Sequence, residues 1–194
     1  MKPVMCITKD NLQLSDGINK FKINPDDIHF INRNIVDSKL PEYHAVGTML
    51  PQLLPYIFVK CGNEYLTYAR KGKETRLHGK RSMGFGGHVE LEDLDMTPLG
   101  TLHCSAKREL NEELGLDTTL RLTDEFIYST YDLVSQVHIG IIGFVEITDK
   151  SLVTSDEAEV LDPQWKTVEQ IRANLDTYER WSQILAKHLD KLSV

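Results

Sequence analysis

The sequence predicts an α/β fold built on a mixed central sheet. Three observations carry that expectation. Strand-like and helix-like segments alternate after residue 53, a β-branched segment at 136–147 has the apolar character of a central strand, and a helix-period stretch from 98 stops at Gly115. The chain has 194 residues, the length of one domain with a real core. We expect one domain over 1–194: an N-terminal extension at 1–50 packed on a core at 53–175, and a C-terminal helix at 176–194. Apolar residues make up 41% and charged residues 26%, which excludes a largely disordered, collagen-like or coiled-coil chain. The longest uninterrupted apolar run, 139–145, is far too short to span a bilayer, and residues 1–10 lack the sustained apolar stretch of a secretory signal.

The elements follow in order. Before residue 50 there is no single clear period. Short strands are expected at 4–7 and 11–14, and Asn24-Pro25-Asp26-Asp27 marks a turn or helix start. Residues 54–60 and 64–70, joined by Cys61-Gly62-Asn63, form a hairpin pattern. A basic loop at 71–81 leads to a glycine-broken strand at 82–90. In the next helix Leu99, Leu102, Ala106, Leu110 and Leu114 recur at three and four residues. Thr97 before Pro98 is one candidate start and Thr101 another, and Gly115 is the stop. Strands are expected at 125–131, at 136–147 and, shorter, at 164–166. Thr167 and Gln170 have capping-box spacing. The last helix, about 176–192, has Leu175, Tyr178, Trp181, Leu185, Leu189 and Leu192 on one face, where Tyr178 and Trp181 belong to the core.

The net charge is −7, so neither nucleic acid nor an anionic membrane is the expected partner. Six cations nevertheless fall between Arg70 and Arg81. Cys6, Cys61 and Cys104 are widely spaced and fit no zinc pattern, which suits a reduced, cytoplasmic chain; Cys104 is expected to be a small buried residue.

Chemistry concentrates in Arg108-Glu109-Leu110-Asn111-Glu112-Glu113-Leu114-Gly115-Leu116. On a helix Glu109, Glu112 and Glu113 stand at i, i+3 and i+4 and share one face. Their mutual repulsion is best offset by a hard divalent cation, and Mg2+ is held by carboxylates together with substrate phosphates. A merely solvated acidic face is the plain alternative. The Gly86-Gly87 strand end upstream favours the metal, because glycines let backbone approach a ligand closely.

Here the sequence resembles the Nudix hydrolase family, whose signature is Gly-x5-Glu-x7-Arg-Glu-U-x-Glu-Glu-x-Gly-U, with U a bulky aliphatic. Residues 108–116 match every fixed position of its second half. The first half departs: counted from Gly87, Asp93 stands where the family has Glu, and fourteen residues rather than seven separate it from Arg108. That is an insertion of seven residues, roughly 95–101. Glu92, Asp93 and Asp95 are all candidates for the first-half acid.

The resemblance implies an α/β/α sandwich that hydrolyses the diphosphate of a nucleoside diphosphate linked to another moiety. Glu109, Glu112 and Glu113 would hold Mg2+ or Mn2+, with the Gly87 carbonyl as a further ligand and Arg108 orienting the carboxylates. Asp93, Glu157 and Glu159 are candidate extra acids. Arg70, Arg76 and Arg81 lead the candidates for clamping phosphate, since guanidinium forks match phosphate oxygens. His78 and His88 are candidate phosphate contacts or bystanders. The partner is a small nucleotide or diphosphate, and the size permits a homodimer. Two competing readings share the fold. One is a non-catalytic nucleotide-sugar sensor. The other is an isopentenyl-diphosphate isomerase, opposed by the absence of a cysteine from Gly84-Phe85-Gly86-Gly87-His88.

Overall fold

The computed structural model describes residues 2–10, 12–33, 50–70, 79–131, 133–155 and 160–192, with 133 and 134 as backbone only. Among the described residues nine strands form one mixed sheet: β1 (Pro3–Ile7), β2 (Gly17–Lys20), β3 (Ile28–Asn32), β4 (Gln52–Cys61), β5 (Glu64–Arg70), β6 (Arg81–Ser82), β7 (Leu120–Tyr128), β8 (His138–Ile147) and β9 (Val160–Thr167). The main order is β2-β7-β8-β4-β1-β3. β4 and β8 pair in parallel from Gln52↔His138 to Cys61↔Ile147, while β8 pairs with β7 and β4 with β1 in antiparallel fashion. β8 is therefore central, as its apolar run predicts. β5 turns back from the end of β4 and carries β6 and β9.

The helices are α1 (Pro98–Leu114), α2 (Leu133–Gln136), α3 (Val168–Arg172) and α4 (Arg180–His188). β4 separates two cores by its period of two. Ile57 and Val59 pack with Ala106, Leu110 and Leu114 of α1, whereas Tyr56 and Phe58 join Trp181 and Leu185 of α4. The result is the expected α/β/α layering.

Local chemistry sets the boundaries of α1. The Thr97 hydroxyl accepts from the Gly100 N–H, Pro98 opens the first turn, and Gly115 closes the helix in the left-handed region at φ 63°. The helix thus begins inside the inserted segment, whose last four residues, 98–101, form its opening turn. Thr167 and Gln170 form the expected capping box.

Several expectations are corrected. Residues 12–14 form no strand, whereas β2 and β3 do and join the sheet. The stretch 82–90 is a strand only at its start; beyond it, single bridges tie Phe85 to Ile57 and Glu90 to Val4. The terminal helix is α4 alone, flanked by 3-10 turns at Leu175–Thr177 and Leu189–Lys191. Cys104 is exposed, because it lies on the solvent side of α1. Leu99 is also exposed, together with Leu91, Leu94 and Met96, so the apolar face of α1 starts at Leu102. Tyr178 and Trp181 are core, as expected. No helix of the described residues is long and apolar enough to cross a membrane.

Candidate active site

Arg108 organises the site. Its five N–H donors meet five oxygens: Nε and Nη2 grip Asp93 at 2.9 Å each, Nη1 reaches Glu109 at 2.7 Å and Glu112 at 3.2 Å, and Nη2 also reaches the His88 carbonyl at 3.0 Å. The fork matches the planar Asp93 carboxylate. Among the three acids the sequence left open, Asp93 is thus the one that meets the box arginine, and it does so across the whole insertion. Glu92 is exposed and pairs instead with Lys2.

Charge follows geometry. Burial pushes the Asp93 carboxyl up, but the Arg108 hydrogen bonds and charge, with the Glu90 N–H, outweigh it and hold the group below its usual value. The Asp93 contact is the main reason the Arg108 guanidinium is held even more firmly charged than usual. Burial raises the Glu109 carboxyl, and Arg108 reverses that only in part.

The glycine segment closes on these carboxylates. A Cβ built on Gly87 would lie 2.5 Å from Glu109 Oε1, so only glycine lets this backbone rest against the acid. Gly86 has φ 147° and would place a Cβ 2.1 Å from the Pro55 carbonyl oxygen of β4. Because the His88 carbonyl accepts from Arg108, the strand end and α1 are fastened together.

The three box glutamates lie on one helical stretch but do not converge, and among the described residues no three metal-ligating side chains form a ready cage. Glu109 faces Gly87, Glu112 extends into solvent through Arg108, and the half-buried Glu113 contributes to the field around Tyr68 and Arg70. One guanidinium among three carboxylates leaves net negative charge. With the carbonyl-bearing backbone pressed onto Glu109, this all-oxygen set fits a hard divalent cation.

The cations separate clearly. Arg70 Nη1 lies 3.5 Å from the Tyr68 hydroxyl, and its charge is favoured by Tyr68 first and by Glu179, Tyr56 and Glu113. It therefore belongs to the electrostatic surroundings of Glu113. Arg81, the other described candidate for clamping phosphate, is engaged with β5 and β9. Its guanidinium bonds both the carboxylate and the carbonyl of Asp162 at 2.9 Å, and Thr67 O and Oγ1 at 3.1 Å. Asp162 has φ 47° at the point where the β5–β9 register shifts, and Arg81 secures that irregularity. Arg76, His78, Glu157 and Glu159 lie outside the described residues.

Sequence reasoning missed Ser105, fully buried one turn before Arg108, with its hydroxyl 3.5 Å from both the His88 carbonyl and Arg108 Nη2. Its i−3 spacing from Arg108 was the available signal. It also missed Glu179, the cap of α4, whose carboxylate accepts from the Tyr56 hydroxyl.

No family model matches the chain. Protein YmaB of Bacillus subtilis (strain 168) is 32% identical over 147 residues, covering 72% of this chain and 71% of YmaB. Among solved structures, Tm1382, a candidate Nudix hydrolase, superposes with a TM-score of 0.72 at 23% identity, covering 97% of this chain and 98% of its own. The MutT protein of Methanosarcina mazei Go1 gives 0.53 at 18%, over 72% of this chain and 92% of that one. A bifunctional NMN adenylyltransferase/ADP ribose pyrophosphatase of Francisella tularensis, complexed with AMP and a Mn ion, gives 0.56 at 17%, over 82% of this chain and 47% of that one. The chain therefore has the Nudix hydrolase fold and belongs to the family of Protein YmaB.

Proposed function

We propose that this protein is a divalent-metal-dependent hydrolase of diphosphate linkages in nucleoside-diphosphate compounds. The observation that carries this reading is the Arg108 junction, which brings Asp93, Glu109 and Glu112 to the Gly86–Gly87 strand end. Glu109, Glu112 and Glu113 would hold the cation with the Gly87 carbonyl, and Mg2+ or Mn2+ would supply charge neutralisation at the diphosphate. Arg108 fixes the carboxylates. Arg70 binds phosphate oxygen. The attacking water gives its proton to a carboxylate of this cluster. The Francisella tularensis relative in fold, an ADP ribose pyrophosphatase holding AMP and a Mn ion, supports a nucleotide substrate and a divalent metal. Cys6, Cys61 and Cys104 form no disulfide, which suits the cytoplasm.

The test is a panel of ADP-ribose, nucleotide sugars, dinucleoside polyphosphates and nucleoside triphosphates with Mg2+, Mn2+ or chelator. Wild type is compared with Glu112→Gln plus Glu113→Gln. Metal-dependent turnover that falls by about 10³-fold in the variant is expected. Ligand-induced thermal stabilisation without turnover of any compound would replace this reading with the sensor.

A further inference from the structure

A second cluster of polar groups lies on the other side of the glycine segment, under α4, and the reaction outlined above does not use it. Its centre is Glu179, 8% exposed. Five donors point at this carboxylate. The Trp181 and Ser182 N–H groups reach it at 2.7 and 2.9 Å, the Tyr56 hydroxyl at 2.6 Å, the Ser82 hydroxyl at 3.3 Å, and the Ser182 hydroxyl also donates to it. The backbone pair is the helix cap of α4.

Ser182, Ser82 and Tyr56 also hold the chain that runs to Gly87. Ser182 Oγ accepts the Met83 N–H at 2.9 Å. The Tyr68 hydroxyl donates to the Gly84 carbonyl oxygen at 3.1 Å, and the single Ser82 hydroxyl proton is shared between that oxygen, also at 3.1 Å, and Glu179. Gly84 lies on the Tyr56 ring, where a Cβ would fall 2.1 Å from Cζ. Phe85 then exchanges two backbone bonds of 2.8 Å with Ile57, which leaves Gly86 and Gly87 directly beyond the clamp.

We propose that Glu179 is a positioning residue: through Tyr56, Ser82 and Ser182 it fixes residues 82–85, and thereby the placement of the Gly86–Gly87 backbone against Glu109. This inference rests on the hydrolase reading for its kinetic consequence only. The Trp181 N–H donates to one carboxylate oxygen and the Ser182 N–H and Tyr56 hydroxyl to the other, so a carboxylate is required. A Glu179→Gln amide nitrogen would present hydrogens to another donor. Burial holds the Tyr56 hydroxyl well above its ordinary pKa, so it stays a donor at neutral pH.

The test compares Glu179→Gln, Tyr56→Phe and Leu185→Val in the full chain. Leu185→Val loosens the α4 core without touching the hub. Three quantities are read: kcat and KM on the best panel substrate, Mn2+ affinity by electron paramagnetic resonance, and the amide resonances of Gly84, Gly86 and Gly87. In Glu179→Gln we expect kcat to fall about 10-fold or more with KM changed less than about 3-fold, Mn2+ to bind more weakly, and the Gly86 and Gly87 resonances to move. Leu185→Val should lower the melting temperature alone. The proposal is overturned if Glu179→Gln behaves like Leu185→Val. Should Glu179→Gln fail to fold, Tyr56→Phe carries the same three expectations in milder form, and unshifted glycine resonances with unchanged Mn2+ affinity there also overturn it. If wild type turns over no substrate, the hydrolase reading fails by itself, and the Mn2+ and resonance measurements still decide the role of Glu179.

Discussion

Asp93 and Arg108 face one another edge to edge, with two bonds of 2.9 Å spanning fifteen positions of chain. Asp93 is buried, and without it Arg108 keeps Glu109, Glu112, the His88 carbonyl and Ser105. Asp93→Ala is therefore expected to destabilise the fold by about 2–3 kcal/mol, less than the loss of an isolated buried pair. Chemical denaturation checks this, and a change below about 0.5 kcal/mol would contradict a structural junction.

The same pair sets an acid limit. The folded-state pKa of Asp93 is lowered, so its ionised form stabilises the fold above the ordinary aspartate range. That contribution disappears as pH falls from about 4 through the lowered folded value. Melting curves from pH 6 to 3 should show the loss in wild type and a flatter profile in Asp93→Asn. Parallel profiles would place the acid sensitivity elsewhere.

Glu109 has the opposite sign. Burial raises its pKa, so its contribution falls as pH rises through the ordinary glutamate range to the raised folded value, and at neutral pH its buried charge is a net liability. Glu109→Gln should raise the melting temperature of metal-free protein by about 1–3 °C while removing the further stabilisation that Mg2+ gives wild type. Thermal shift with and without Mg2+ reads both effects. A lowered melting temperature would show that the Arg108 contact outweighs burial.

Arginine substitutions should separate binding from stability. Arg70→Ala is expected to raise KM by about 10-fold or more at a nearly unchanged melting temperature. Arg81→Ala removes the ties to Asp162 and Thr67 and should lower the melting temperature by about 4–8 °C with KM intact. The reverse pattern would reassign the phosphate contact to Arg81.

The two adjacent glycines should behave differently on substitution. In Gly87→Ala the new methyl meets the movable end of Glu109, so the protein should fold with kcat reduced about 100-fold. In Gly86→Ala it meets the Pro55 backbone at a positive φ, and the expected outcome is loss of stability by about 2 kcal/mol or more. Circular dichroism melts beside kinetics distinguish them.

Legibility followed the range of the interaction. Thr97, Pro98 and Gly115 bound α1 by local chemistry, and the sequence shows all three. The choice among Glu92, Asp93 and Asp95 was made by Arg108, more than ten positions away, so spacing alone left it open. β2 and β3 are short and half-exposed, without the alternation that marks a strand, and their place comes from pairing with β7 and β1. Glu179 was obscured by a helix start placed near 176. A helix that begins at Arg180 makes Glu179 its cap and turns the carboxylate inward.

The length of the inserted segment sets the angle at which α1 presents its carboxylates. Seven residues of α-helix rotate through about 700°, within about 20° of two full turns. An α1 shortened by seven residues after Thr97 would present Glu109, Glu112 and Glu113 at nearly the same azimuth, about 10 Å nearer its own beginning. Removing four or five residues instead would rotate those side chains by about 40° or 140° relative to Asp93. Of the inserted residues only 98–101 are helical, and four residues turn through about 400°, so the segment lengthens α1 by about one turn and leaves its chemical face within about 40° of phase.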